Sequence, residues 1–257
     1  MKQWVLITGA SQGIGHELAK VFAANGWQLI LVARDWVRLG AIAAELSARH
    51  GVSVKILTKD LARISSAQEI FEELKSEGIE ISALVNNAGF GVQGIFAETE
   101  LQKYLDMAQV NITTLVQLTH LFLPGMLARR SGKILNVAST AAFLPGPFMA
   151  MYYASKAFVI SFSRALSVET GGSGVTVTAL CPGVTESEFH SRAGLKRNMK
   201  FIIMSAEAVA HIGYRAMMAG KPVVVAGWIN WISVVMMKLI PARWLSRIAA
   251  KVNGPAR

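Results

Sequence analysis

The stretch Thr8-Gly9-Ala10-Ser11-Gln12-Gly13-Ile14-Gly15 follows the apolar run Val5-Leu6-Ile7 and precedes a helical pattern at Leu18, Val21 and Phe22. A strand, a glycine turn and a helix in that order form a cradle for a dinucleotide. Gly9 allows the tight turn, Gly13 lets the backbone approach a pyrophosphate, and Gly15 lets helix and strand pack closely. The helix N-terminus offers unpaired N–H groups and a partial positive charge to phosphates. Ser11, Gln12 and Ile14 therefore join the three glycines as cofactor-binding candidates. The spacing is G-x-x-x-G-x-G, not the commoner G-x-G-x-x-G.

Outward from this turn, β-branched apolar segments alternate with helical patterns. Strands are expected at Val5–Thr8, Gln28–Ala33, Ser53–Thr58, Ala83–Asn86, Gly132–Val137, Val175–Cys181 and Pro222–Val225. Their near-continuous hydrophobicity suits strands buried on both faces of a parallel sheet. Helices are expected at Ile14–Ala24, Trp36–His50, Ile64–Glu77, Leu101–Arg130, Tyr152–Glu169 and Ala206–Ala219. The pattern predicts α/β architecture: a single doubly wound Rossmann-type domain with a seven-stranded parallel sheet and helices on both faces. That domain is expected over residues 1–226, with a substrate loop at about 184–205 and a C-terminal extension over 227–257.

The 257 residues are 53% hydrophobic and only 16% charged, which excludes a disordered chain. The single cysteine, Cys181, excludes an internal disulfide and any multi-cysteine metal site. The five histidines show no paired ligand spacing, so no metal is expected. His190 falls in the substrate loop with Glu186, Glu188, Arg192, Lys196 and Arg197. The first strand starts within five residues of Met1, and this is read as a cytoplasmic protein without a cleaved leader. The net charge of +10 is scattered and no nucleic-acid motif accompanies it, so nucleic acid is not expected as a partner. An anionic cofactor or an anionic lipid surface accounts for it better.

Tyr152 and Lys156 stand four residues apart, on one face of a helix. A free tyrosine, with a pKa of about 10, is a poor proton-transfer group near neutrality. A lysine ammonium one turn away stabilises the phenolate, and Ser139, just after the fifth strand, can hydrogen-bond a carbonyl oxygen as charge develops there.

These residues, with Thr8-Gly-x-x-x-Gly-x-Gly15, Asp60-Leu61, Asn86–Gly89, Asn111 and Pro182-Gly183, resemble the classical short-chain dehydrogenase/reductase family over about the first 220 residues. The resemblance implies Tyr152 as general acid/base, Lys156 as the residue that holds the nicotinamide ribose and tunes Tyr152, and Ser139 as the group orienting the carbonyl. It implies that Asn111 supports a water-linked proton relay to Lys156. Asp60 and Leu61 would flank the adenine, while Asn86, Ala88 and Gly89 would line the cofactor cleft. Val184 and Thr185, after Pro182 and Gly183, would meet the nicotinamide end. It also implies a homo-oligomer, dimer or tetramer.

The second strand ends in Arg34, where NAD-preferring enzymes generally carry a carboxylate. A guanidinium suits a 2′-phosphate by charge and by its fork of donors, so NADP(H) is favoured over NAD(H). The reading is an NADP-dependent oxidoreductase that transfers a hydride between the nicotinamide and a carbonyl or secondary alcohol. Phe143, Phe148, Met149 and Met151 before Tyr152 point to an apolar, lipid-like ketone or aldehyde. The alternative is a dinucleotide-binding sensor or scaffold without turnover; such proteins typically lose the tyrosine or the lysine.

The extension from Gly227 begins with thirteen apolar-rich residues, Trp228–Ile240, ending at Pro241. That run is too short for a confident membrane span. Arg243, Arg247 and Lys251 follow, interleaved with Trp244, Leu245, Ile248 and Val252. Four readings stand: an amphipathic helix on an anionic membrane surface, a substrate lid, a subunit contact, or packing on the chain's own domain.

Overall fold

Successive side chains along the buried strands feed two different cores, as the two-residue period of a strand requires. The computed structural model describes residues 3–186 and 203–254. Its strands are β1 (Trp4–Thr8), β2 (Gln28–Ala33), β3 (Val54–Thr58), β4 (Ile81–Asn86), β5 (Gly132–Val137), β6 (Val175–Cys181) and β7 (Val223–Val225). Val5, Ile7, Leu29, Leu31, Ala83, Val85 and Leu135 point to one face, where they meet α1 (Gly13–Ala24), α2 (Trp36–His50) and α7 (Ala206–Met218). Leu6, Ile30, Val32, Leu84 and Ile134 point to the other, toward α3 (Ser66–Ser76) and α5 (Thr114–Ala128).

The sheet is parallel throughout, in the order β3-β2-β1-β4-β5-β6-β7. The order reverses between β1 and β4, so helices leaving these two strands go to opposite faces and open a crevice at their carboxyl ends. The expected strands are all present, with boundaries shifted by one or two residues at β1, β3, β4 and β7.

The expected helix Leu101–Arg130 is instead three pieces: α4 (Leu101–Ala108), a π-helical turn over Gln109–Thr113, and α5. The π turn inserts an extra residue into the helical ladder and sets Asn111 within it, where hydrophobic periodicity gives no signal. This continuous helical stretch is the one described segment long and apolar enough to cross a membrane, yet it serves here as a core helix. Leu118, Phe122 and Met126 of α5 are buried against the sheet and α3. Helix α6 (Ala150–Glu169) starts two residues earlier than expected, so Tyr152 lies inside its first turn.

The extension folds as two helices, α8 (Trp228–Leu239) and α9 (Ala242–Asn253), parted at Ile240-Pro241. Proline at the head of α9 lacks the N–H that would continue the preceding helix.

Candidate active site

The glycine turn sits at the switch point. Gly9 and Gly13 both take positive φ, +66° and +55°, which glycine adopts without steric cost. A Cβ on Gly15 would strike the Gly9 carbonyl and the Asn87 amide. Helix α1 begins here with no side-chain cap from Gln12 and no acidic residue in its first turn. Such a helix end is suited to an anion. Ile14 leans on the core.

Across the crevice, the loop after β4 is stapled to the end of β1. Thr8 Oγ1 accepts from the backbone N–H groups of Asn87 and Ala88, both at 3.0 Å. The Asn87 amide donates back to the carbonyls of Thr8 (2.9 Å) and Gly9 (3.2 Å). Asn87 entered the sequence reading only as part of the Asn86–Gly89 turn, yet its side chain joins that of Thr8 in tying the two loops together. The Asn86 side chain turns into the interior, which leaves its main chain for the cleft that the Asn86–Gly89 turn is expected to line. Its amide donates to Asn136 Oδ1 (2.9 Å) and Thr119 Oγ1 (3.1 Å), and Asn136 in turn donates to Ser163. Buried amides need partners, and these lie beneath the sheet.

At the adenosine end, Arg34 is exposed at the close of β2. The adjacent Asp35 caps α2 through the Arg38 N–H (3.0 Å) and pairs with the Arg38 guanidinium (3.3 Å), so its carboxylate is engaged in the helix start. Arg38 also donates to Gln12 Oε1 (3.0 Å), which brings a second guanidinium to the mouth of the glycine turn. The sequence reading missed it because it lies one helical turn beyond the strand end. Asp60 folds its own loop: Oδ1 accepts from the Ala62 N–H (3.1 Å), while Leu61 is buried.

Tyr152, Lys156 and Ser139 converge beyond the carboxyl end of β5. The Tyr152 hydroxyl is hydrogen-bonded to Ser139. Lys156 Nζ donates to the Val137 carbonyl (2.8 Å) and lies 5.9 Å from the Tyr152 ring centre. Both residues are buried, at 8% and 5% exposure. Burial pushes the phenol up to about 12, opposed by the Ser139 hydrogen bond. Burial also brings the Lys156 ammonium down to about 8, against the raising influence of Cys181. Burial thus sets the Tyr152 phenol above its ordinary value, with Ser139 and not Lys156 as the opposing influence, contrary to the lowering expected from Lys156. Gly89 lies against Asn111 and Lys156: a Cβ there would come within 3.1 Å of Asn111 Oδ1 and 3.3 Å of Lys156 Nζ. The Asn111 side chain is committed elsewhere, donating to the Phe90 carbonyl and Ser155 Oγ (both 3.0 Å) and accepting from the Phe90 N–H (3.1 Å).

Pro182 accepts from the Thr140 N–H (2.8 Å), which joins the β6 end to the Ser139 loop. Thr185 is buried, donates to the Gly183 carbonyl (3.1 Å) and pairs as a β-bridge with Met204. Val184 is tied to the same bridge through its carbonyl, which accepts from the Met204 N–H. His190 and the loop charges Glu188, Arg192, Lys196 and Arg197 lie outside the described residues.

With the glycine cradle, the basic rim and the Tyr-Lys-Ser cluster in one crevice, the comparison with known proteins is decisive. Residues 3–198 match the family model for short chain dehydrogenases. The chain belongs to the short-chain dehydrogenase family. It is 40% identical over 180 residues to a very-long-chain 3-oxoacyl-CoA reductase of Phaeosphaeria nodorum, covering 68% of this chain and 52% of that protein. It is 39% identical over 189 residues to the 17-beta-hydroxysteroid dehydrogenase type 3 of Mus musculus, covering 71% of this chain and 60% of that one. The chain thus spans little more than half the length of these relatives. Among solved structures, a Sphingobium yanoikuyae short-chain dehydrogenase in complex with NADPH superposes with a TM-score of 0.84 at 32% identity, over 92% of this chain and 94% of the other.

The crevice of this short-chain dehydrogenase fits a dinucleotide on its own geometry. Glycine at 9 and 15 lets the turn close against the loop after β4, where a Cβ would collide with Asn87 and Ala88 or with the Gly9 carbonyl, the uncapped start of α1 faces the crevice, and two arginines stand at its rim. Around Tyr152 the walls are apolar: Tyr104, Met107 and Met149 are buried with it, and Phe90, Val92 and Met151 pack alongside. A groove of about 620 Å³ runs past Phe143, Leu144, Pro147, Tyr153 and Ala157. Phe148, in this same loop, holds a φ of +64°, a strained value for an aromatic residue.

The extension closes on this region. Helix α8 packs on the short helix Thr140–Phe143 just after Ser139. Asn253, buried in the last turn of α9, donates to the Pro147 carbonyl (3.2 Å) and the Tyr153 hydroxyl (3.1 Å), and its own carbonyl accepts from Gln93 (2.5 Å).

Proposed function

We propose that the chain is an NADPH-dependent reductase, reversible as an alcohol dehydrogenase, acting on apolar, lipid-like ketones or aldehydes. The observation that carries this reading is the buried Tyr152–Ser139 hydrogen bond with Lys156 one turn along the same helix. NADP(H) is favoured because Arg34 and Arg38 stand at the adenosine end while Asp35 is occupied in capping α2. The relative solved with NADPH supports the choice, with NAD(H) as the weaker alternative.

Gly9, Ser11, Gln12, Gly13, Ile14 and Gly15 would hold the pyrophosphate, Arg34 and Arg38 the adenosine phosphate, and Asp60 and Leu61 the adenine side. Ala88, Gly89, Lys156 and the Pro182–Thr185 segment would hold the nicotinamide half. When bound, the reduced nicotinamide supplies a hydride to the carbonyl carbon. Tyr152, kept protonated by its burial, gives its phenolic proton to the carbonyl oxygen as negative charge develops there. Ser139 donates a hydrogen bond to the same oxygen. The phenolate left behind is countered by the Lys156 ammonium until a proton returns. Because the Asn111 side chain is engaged with Phe90 and Ser155, its part in a proton relay falls to its main-chain carbonyl.

The apolar cluster around Tyr152 and the neighbouring groove support a bulky apolar substrate. So do the relatives named for very-long-chain 3-oxoacyl-CoA and hydroxysteroids. We read residues 1–226 as the catalytic domain and 227–257 as an extension that flanks the substrate groove. A homo-oligomer is supported by exposed Leu101 and Leu105 on α4 and Phe158 on α6. The test is titration with NADPH and NADH, followed by turnover on 3-oxoacyl thioesters, steroid ketones and short polar ketones. Tight NADPH binding and reduction of the bulky ketones are expected. NADPH binding without turnover on any carbonyl would transfer the chain to the non-catalytic alternative.

A further inference from the structure

Helix α8 turns its apolar stripe the wrong way for a core helix. Trp228, Trp231, Ile232, Val235 and Leu239 follow the i, i+3, i+4, i+7, i+11 spacing of one helical face. All five are exposed, Trp228 at 72% and Leu239 at 73%. The helix reaches the domain through its other side, where Val234 is buried and Asn230 bonds back to the Ala226 carbonyl (2.7 Å). A contiguous apolar face of this size on a folded protein marks an interaction surface.

Helix α9 follows directly and carries a cationic stripe, Arg243, Arg247 and Lys251, at four-residue spacing. Exposed Trp244 and Ile248 lie beside it. The guanidinium carbons of Arg243 and Arg247 sit 5.9 Å and 5.4 Å from the Trp244 ring centre, so cation and indole are presented together. The sequence contains no Asp or Glu after Glu207.

We propose that α8 and α9 dock this protein on the surface of an anionic lipid bilayer, with α8 lying in the headgroup and acyl boundary and α9 against the headgroups. Charge complementarity selects this occupant. Exposed tryptophans with flanking lysine and arginine, and no carboxylate, match an interfacial helix pair on anionic lipid. A second copy of the chain fits worse, because a two-fold contact through this face would set the cationic stripe against itself. Each helix has 12 residues, hence a length of roughly 18 Å, so the pair rests on the bilayer and does not cross its hydrocarbon core of about 30 Å. The inference rests on the extension and stands apart from the reading of the catalytic cluster.

The test is sedimentation of the full chain with vesicles of phosphatidylcholine alone, or with about one third phosphatidylserine, at low and high salt. Binding to the anionic vesicles that weakens with salt is expected. With about fivefold in affinity per cation, the combined Arg243→Gln, Arg247→Gln, Lys251→Gln variant loses about a hundredfold. A charge-matched variant on other surfaces, Arg63→Gln, Lys103→Gln, Lys221→Gln, retains binding. Trp231→Ser with Leu239→Ser abolishes it, with the melting temperature unchanged since both side chains are exposed. Failure of the wild type to bind anionic vesicles would overturn the proposal. Equal losses in the two charge variants would overturn it as well, by reducing the effect to overall charge. A dimer broken by Trp231→Ser, with no vesicle binding, would assign the face to a second copy.

Discussion

The side-chain amide of Asn253, in the last turn of α9, donates to the hydroxyl of Tyr153, the residue next to Tyr152. Through this bond and its partner to Pro147, the extension is fastened to the loop that leads into the Tyr152 helix.

Asn253→Ala removes both N–H donors and leaves two part-buried acceptors behind, at a cost of about 1–3 kcal/mol. The expected outcome is a lower melting temperature and a several-fold higher KM for a bulky ketone, with NADPH affinity unchanged. Unaltered ketone KM in a folded variant would mean that α9 has no hand in shaping the groove.

Tyr153→Phe separates the two neighbouring tyrosines. It loses only the bond to Asn253 and is expected to cost about 1 kcal/mol of stability while turnover persists. Collapse of turnover in this variant, measured at saturating cofactor, would shift the proton-donor role to Tyr153.

Arg34→Ala and Arg38→Ala each remove a guanidinium from the adenosine end. Charge-assisted hydrogen bonds contribute about 1.5–3 kcal/mol, so each change should weaken NADPH binding by roughly tenfold to a hundredfold. Binding of NADH, followed by the same fluorescence titration, should change little. Equal weakening of both cofactors would remove the basis for NADP preference.

The Lys156 ammonium, brought down to about 8 by burial, makes stability depend on pH. Between that value and the ordinary lysine pKa of about 10.4, the unfolded chain binds more protons than the folded one. Stability therefore rises with pH across this window, and the burial penalty is fully present below it. Lys156→Met removes that dependence. The difference in unfolding free energy between wild type and variant should shift in favour of wild type by about 3 kcal/mol from pH 7 to 11. A difference that stays flat with pH would show that the ammonium is not desolvated.

The sheet was legible because parallel strands buried on both faces leave apolar runs such as Leu29–Val32, and the glycine turn names its own position between β1 and α1. The residues of the reacting cluster were legible because their spacing is fixed by one helix and by the end of one strand. Arg38 and Asn87 were not, since their roles arise from side chains reaching across the crevice to Gln12 and Thr8. The π turn at Gln109–Thr113 leaves no trace in hydrophobic periodicity. Nor does periodicity tell outward from inward, and the apolar stripe of α8 reads the same whether it faces a core or a membrane.

The central claim is that Tyr152 supplies the proton while the crevice independently holds the dinucleotide. The direct measurement compares wild type and Tyr152→Phe for NADPH affinity and for ketone turnover at saturating NADPH. The account predicts affinity within a few-fold of wild type and turnover reduced by at least about a hundredfold, the usual contribution of a general acid. Turnover retained in the phenylalanine variant, with cofactor still bound, would contradict it.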